Sequence, residues 1–392
     1  MESTETLDES TRINEIEFER MTFDGDGVSF FKIWIVNLVL TIITLGIYGP
    51  WAKVRARKYL FNSTGFRGSR FDYHAKAKSI LLGRIIALLI FGSYVISWAI
   101  HPVVAIFDAL IVFLLVPFII IKSLKFNVNN TSYNNIKFHL RAKVSEGYKL
   151  FIKYFSFPMI VSIGALIFLY LSGNLTNKGL KIDENDSFTS AVVGGLYLLN
   201  FLYLIIMSSS ILNAYLNFFY NNIYYGGSKV VLDTSRKQVT KGVIIPFVLS
   251  SLVALSIPIG IAMLSGIGGA ASLFIVLAAI LLYFSFFYIF TKFPFLIFSF
   301  VWNRLSLEGG EMKNDLKHST FAITVFVNAI VTAVTFGIFY PWTVIRMLRI
   351  KTESKSIKIG PLDDVQAVAS DKESALGEEL GDVLDFDFEI GL

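Results

Sequence analysis

Asp108 is the residue that most invites a chemical reading. It lies within an apolar run of Val, Ala, Ile, Phe and Leu, about 10 Å along its helix at 1.5 Å per residue. A carboxylate at such depth is costly and defaults to one of two roles: coupling an ion or proton, or bonding structurally to a neighbouring helix or to water. His101 is close enough in sequence to serve as a titrating partner. A second constellation occurs twice. Asn37-x3-Thr41-x2-Thr44-x-Gly46-Ile47-Tyr48-x-Pro50-Trp51-x3-Arg55 recurs as Asn328-x3-Thr332-x2-Thr335-x-Gly337-Ile338-Phe339-x-Pro341-Trp342-x3-Arg346. At these spacings Asn and Thr lie near one helix face, where they can bond across helices in lipid. Gly and Pro supply a point at which a helix breaks or turns back. The pattern reads either as a packing motif with a Pro-Trp interfacial stop or as a paired broken-helix site of the transporter kind.

Other chemistry finds few carriers. There is no cysteine, which removes disulfides, thiolate metal sites and thiol nucleophiles together. The four histidines, His74, His101, His139 and His318, show no metal-ligand spacing. No phosphate loop follows a strand, the GGSK run at Gly226 suits a turn, and no Ser/His/Asp set can be nominated. The expectation is a protein that is not an enzyme, with no catalytic residue, cofactor or metal site. Lys32, Arg84, Lys153 and Lys292 fall nearer the ends of apolar stretches, where long side chains snorkel to the interface.

The elements that must position these residues are membrane helices. The chain has 392 residues, 54% hydrophobic and 17% charged, against about 25% charged in soluble domains. Eight stretches reach the roughly 20 apolar residues a span needs, near 29–51, 79–100, 102–121, 150–172, 190–219, 242–265, 270–292 and 319–342. The apolar run after 270 continues to Trp302 and is a candidate for a break near Pro294. All five Trp fall near stretch ends, as interfacial belts require. The first 28 residues lack the layout of a signal peptide.

Basic residues crowd loops 52–78, 122–149, 220–241 and 303–318, whereas the intervening connections hold only Lys178 and Lys181. The positive-inside rule then puts the four long loops in the cytoplasm, beside anionic lipid headgroups that account for their charge without nucleic acid. Each loop repeats one unit: Asn62, Asn129, Asn221 or Asn303 after an apolar helix, then Arg67-Gly68, Asn134-Asn135, Gly226-Gly227 or Glu308-Gly309 between two short β-like runs. Asn suits a left-handed helix cap, and the dipeptides suit tight turns. Four cytoplasmic β-hairpins are expected, near 59–74, 126–141, 221–233 and 303–315, able to pair edge to edge into a small sheet. RIKTESKSIKIG, after the last apolar segment, has the look of a further strand–turn–strand.

The fold class expected is therefore an all-α polytopic membrane protein, with helix-pair repeats joined by short cytoplasmic β-hairpins. An acidic tail over 1–28 precedes a membrane domain over 29–351, and a second acidic tail covers 352–392. The net charge of +5 conceals −7 over residues 1–29, −9 over 361–392 and +21 between them. The tails are expected either to be solvated or to dock on the basic loops or a protein partner.

TIITLGIYGPWAKVRARKYL, preceded by TFDGDGVSFFKIWIVN, resembles the signature of the YjgN-like bacterial inner-membrane proteins, a domain-of-unknown-function family, and GEELGDVLDFDFEIGL is similar to the tails found there. The resemblance covers essentially the whole chain. It implies a multi-pass location in the bacterial inner membrane and carries over no substrate, cofactor or residue role.

Two main functions of different class remain, ahead of an intramembrane enzyme, which would need a catalytic cluster that the sequence does not reveal. One is a small-solute or ion transporter or channel, using Asp108 and the paired motifs. The other is a non-transporting scaffold or assembly factor that recruits partners through its cytoplasmic face and acidic tail. Segments 29–51 and 319–342 are each followed by basic residues, and the second is also preceded by Lys313 and Lys317. They read as re-entrant, leaving six full spans with both tails cytoplasmic, or alternatively as full spans with both tails outside. Substrate, coupling ion and oligomeric state stay open.

Overall fold

The structure is a computed structural model that describes residues 17–176, 179–180, 187–264 and 271–360. The acidic stretches 1–16 and 361–392 lie outside the described residues, and with them the expected docking of a tail. Among the described residues, ten principal helices run in chain order: α1 Gly27–Ile43, α2 Gly49–Asn62, α3 Ala77–Ile100, α4 Pro102–Asn129, α5 Val144–Leu171, α6 Ser187–Tyr220, α7 Ile245–Leu264, α8 Ala271–Trp302, α9 His318–Val334 and α10 Tyr340–Glu353. A short turn of helix, Arg236–Val239, and a π-helical segment, Thr240–Ile244, lead into α7. Among the described residues, six helical stretches are long and apolar enough to cross a membrane: α3, α4, α5, α6, Arg236–Met263 and Leu273–Trp302. Helix α8 runs through Pro294 without a break. The apolar helices α1 and α9 are shorter, at 17 residues each.

The expectation of an all-α protein is corrected by the sheet. Strands β1 Glu19–Arg20, β2 Thr22–Phe23, β3 Thr64–Phe66, β4 Ser69–Tyr73, β5 Thr131–Tyr133, β6 Ile136–Leu140, β9 Ile223–Tyr225, β10 Ser228–Leu232, β11 Leu305–Leu307, β12 Gly310–Asn314 and β13 Lys355–Lys358 form one antiparallel sheet of 11 strands. A separate pair, β7 Leu175–Thr176 and β8 Gly179–Leu180, lies between α5 and α6. The sheet closes like a barrel through its first strands. β1 pairs with β13 and β2 pairs with β3, and only Met21 separates them. An exposed strand edge is a liability, and joining the two ends through five residues removes it. RIKTESKSIKIG supplies one strand rather than two, because its first residues extend α10 to Glu353.

The four hairpins carry positive φ at their turns: Arg67 and Gly68, Asn134 and Asn135, Gly226, and Glu308 and Gly309. That handedness matches the twist of paired strands. The asparagines before them do different work from the expected left-handed cap, since none of the four has positive φ. Asn129 Oδ1 accepts from Leu140 N at 2.9 Å, Asn221 Oδ1 from Leu232 N at 2.7 Å and Asn303 Oδ1 from Asn314 N at 2.7 Å. Each side chain closes the base of its hairpin by reaching the strand 11 residues on.

Side chains alternate along the strands, as the pleat requires. Phe66, Tyr133, Leu140, Tyr225, Val230, Leu232 and Ile359 are buried together with Met21, whereas Arg70, Lys137, Lys229 and Glu311 face out. The same core takes in Leu124 and Val128 from α4, Leu216 and Phe219 from α6, and Phe300 to Trp302 from α8. The barrel is therefore filled by side chains, and helix ends seat on its apolar contents. Tyrosines link neighbouring hairpins. Tyr133 donates its hydroxyl to Phe66 O at 2.7 Å, and Tyr225 donates to Tyr133 O at 3.1 Å. Burial raises the pKa of both phenols, that of Tyr225 to about 12.

Every long helical hairpin leaves the sheet and returns to it: α3–α4, α5–α6 and α7–α8. So do the two short ones. Helix α1 starts after β2 and α2 ends before β3; α9 starts after β12 and α10 ends before β13. A segment whose two ends join one small sheet enters and leaves on the same side, so residues 27–62 and 318–353 are helix–break–helix hairpins.

Candidate functional site

The two short hairpins hold most of the residues singled out in the sequence, and they are built alike. Asn37 Nδ2 donates across the break to Ala52 O at 3.1 Å, and Asn328 Nδ2 donates to Thr343 O at 3.0 Å. Each amide thus fastens the first helix of its hairpin to the second. Thr44 Oγ1 donates back to Leu40 O at 2.7 Å and accepts from Tyr48 N at 3.0 Å. Thr335 Oγ1 does the same with Val331 O at 2.6 Å and Phe339 N at 3.3 Å. Thr41 Oγ1 donates to Asn37 O at 2.7 Å.

The breaks are Schellman caps. Gly46 N donates to Thr41 O and Gly337 N to Thr332 O, both at 2.8 Å, while Leu45 N reaches Ile42 O and Phe336 N reaches Ala333 O, both at 3.1 Å. Gly46 and Gly337 have φ of 91° and 85°. Pro50 and Pro341 then open α2 and α10 from positions where no helical N–H is needed. The unexpected residues are Leu45 and Phe336, both at φ 50°. Glycine would take that left-handed position at lower cost. These side chains are instead 94% and 96% exposed at the tips of the two hairpins. At each tip a bulky apolar residue is thus held in a costly conformation and aimed away from the protein.

The two hairpins lie side by side. Trp342 stacks obliquely on Phe31 at 5.2 Å, Trp34 lies 6.3 Å from Tyr340, and Arg349 donates to Gly25 O at 2.8 Å. A Cβ on Gly27 would collide with the Trp342 indole, so this approach requires glycine there. Asp26 caps α1 through Ser29 N at 2.8 Å, and that N–H holds the carboxyl pKa below its usual value. Asn37 is buried, and its Oδ1 has no hydrogen-bond partner among the described residues. Otherwise the polar groups of the motif bond within their own hairpins.

Asp108 and His101 are separated in their bonding. Asp108 accepts from Ser93 Oγ on α3 at 3.3 Å. His101 caps α4 by accepting from Val103 N at 3.2 Å, and its ring meets Tyr170 edge-on at 5.6 Å. The two do not form a pair, and neither touches the Asn/Thr/Gly/Pro segments by hydrogen bond. Among the described residues no group of three His, Asp or Glu converges as a metal site. An open apolar groove between α7 and α8, lined by Pro246, Leu249, Ser250, Val253, Ala254 and Tyr288, offers few polar groups to fix a solute.

Sequence reasoning passed over Leu45 and Phe336 because apolar residues in an apolar run carry no signal. It placed Trp302 only as an interfacial residue at a stretch end and passed over Asn314 and Lys355; the three come together only when β12 and β13 pair. Superimposing the hairpin sequences would have flagged Asn314, since the matching positions hold Tyr73, Leu140 and Leu232.

The profile of a family described as bacterial protein of unknown function (DUF898) matches residues 18–383. Among curated proteins, the inner membrane protein YjgN of Salmonella typhimurium LT2 is 24% identical over 391 residues, covering 90% of this chain and 91% of that protein. The inner membrane protein YjgN of Escherichia coli K12 is 25% identical over 228 residues, covering 57% and 55% respectively. No solved structure matches the chain.

Proposed function

We propose, from the premise that this chain belongs to the DUF898 family of bacterial proteins, that it is a multi-pass inner-membrane platform. In this reading six helices anchor a filled β-barrel against the cytoplasmic leaflet. The barrel's outer face and the acidic ends of the chain present a surface for protein partners. The observation that carries the reading is the barrel interior. Met21, Phe66, Tyr133, Tyr225 and Ile359 occupy it, and side chains of α4, α6 and α8 join the same core, so a solute moving along the barrel axis meets packed apolar groups. The basic hairpins set the orientation by the positive-inside rule. The matched hairpins at the two ends act as wedges seated in the same leaflet. In α2 basic residues begin at Lys53 and in α10 at Arg346, which leaves the tips on the order of 10 Å beyond the charged level at 1.5 Å per residue. That depth is about a third of a 30 Å hydrocarbon core.

A transport reading keeps one specific support, the pair of broken helices contributed by both ends of the chain, together with Asp108 on α4. Reconstitution separates the two. Liposomes containing the full chain should release potassium, protons and a small neutral solute no faster than empty liposomes. Flux that Asp108→Asn abolishes would establish transport and remove the platform reading.

A further inference from the structure

The strands that neighbouring units contribute to the barrel meet in six seams; besides the β1–β13 closure there are five, each with one facing pair at the base of its hairpin. These pairs are Phe23–Thr64, Tyr73–Thr131, Leu140–Ile223, Leu232–Leu305 and Asn314–Lys355. In the first four, the side chains are apolar or their polar groups are satisfied. Thr64 Oγ1 donates to Leu60 O at 3.1 Å, Thr131 Oγ1 donates to Asn127 O at 3.0 Å, and the Tyr73 hydroxyl accepts from Arg57 at 3.0 Å. The fifth seam departs from this. Directly opposed residues of an antiparallel pair project to one face, and Lys355 and Asn314 are 3% and 9% exposed there. The Lys355 ammonium lies 4.4 Å from the centre of the Trp302 ring and 5.4 Å from that of Phe298. Asn314 Oδ1 accepts from Leu316 N at 3.3 Å, which leaves its NH2 as the free end. That NH2 and the buried indole N–H of Trp302 have no acceptor among the described residues.

We propose that the Asn314–Lys355 seam, with the indole N–H of Trp302, binds an oxyanion of the phosphate type at the membrane-facing rim of the barrel. All three groups donate, and one is a cation, so the missing partner is an acceptor with negative charge. A water or a neutral carbonyl would bring no negative charge to the lysine, leaving it only the faces of Trp302 and Phe298. Burial and the nearby Lys351 together lower the Lys355 pKa from 10.5 to about 7, and no carboxylate among the described residues offsets them. A bound oxyanion would restore the charged form. The position just beneath the C-terminal end of α8 admits two sources of the same chemistry, the phosphate of a lipid headgroup or a free phosphate from the aqueous side.

The test uses the full chain. Inorganic phosphate is titrated against the protein in a neutral maltoside, and phosphatidylglycerol is varied in phosphatidylcholine nanodiscs, with thermal unfolding and direct ligand binding as readouts. The expected result is saturable stabilisation of the wild type, with affinity reduced about tenfold or more in Trp302→Phe, which keeps the ring and removes only the donor. Asn314→Leu with Lys355→Ile copies the Leu140–Ile223 seam; this double variant should fold and lose the response. A response to phosphate alone marks a soluble oxyanion, and one to phosphatidylglycerol alone marks a headgroup; both support the site. No response in either arm, or an undiminished response in Trp302→Phe, overturns it.

Discussion

At the scale of single residues, asparagine is the working part of this fold. Asn221 receives Leu232 N at 2.7 Å and donates to Leu232 O at 3.2 Å, so it serves both backbone groups of one buried strand residue. Asn221→Ala orphans that pair and should cost about 1–3 kcal/mol of stability, read as a lowered unfolding temperature in detergent. Substitution at exposed Lys229 on the same strand as Leu232 should leave the temperature near wild type. Lys355 makes a prediction of opposite character. Its folded-state pKa is depressed to about 7, so the unfolded chain holds the extra proton from there up to the unperturbed lysine value near 10.4. Stability from this group therefore rises with pH across that window. In phosphate-free buffer the wild type should gain stability between pH 7 and 9, and Lys355→Met should lose that gain. The asparagines were legible in the sequence as a register mark, but their role was not, because it depends on a partner 11 residues away across a hairpin. Lys355 looked like one more basic loop residue until the sheet buried it.

Among the elements, the twinned helix–break–helix hairpins were the most legible feature, and their conformation shows why. The spacing from Asn37 to Ala52 and from Asn328 to Thr343 is the distance over which one amide must reach across a Schellman turn. A repeated bond therefore leaves a repeated string of residues. Their side-by-side packing left no such trace, since it rests on a single missing Cβ. Gly27→Val should push the Trp342 indole aside and cost about 1–3 kcal/mol, measured by thermal unfolding, with Val28→Ile as a control at a half-exposed position. The tips give a separate prediction. Nitroxides on cysteines at Leu45 and Phe336 should both report hydrocarbon, with high oxygen and low metal-chelate accessibility, at similar depth within one leaflet. Aqueous exposure at either tip would show that its segment crosses the bilayer or stays outside it.

For the whole molecule, the four hairpins were readable from turn dipeptides, and their joining into a sheet was an expectation that the structure bears out. The closure was hidden. It depends on five residues, Glu19 to Phe23, inside a strongly acidic stretch that carries no strand-like alternation. Arg67 reinforces the join by holding Glu19 through a charged pair and the carbonyls of Ile359 and Gly360 at 2.7 and 2.8 Å. The described ends of the chain, around Glu19 and around Ile359 and Gly360, are consequently tied to the first hairpin, on the sheet. Because the chain has no native cysteine, this claim can be tested one position at a time. Single cysteines at Glu17, Asn134, Glu308 and Gly360, and at Asp183 and Gly266 in the connections between α5 and α6 and between α7 and α8, would be challenged in intact cells with a membrane-impermeant thiol reagent. The account predicts labelling at Asp183 and Gly266 and protection of the other four as one set. Labelling of Glu17 or Gly360 alongside Asp183 would mean that the end segments span the bilayer, and it would contradict the closed barrel.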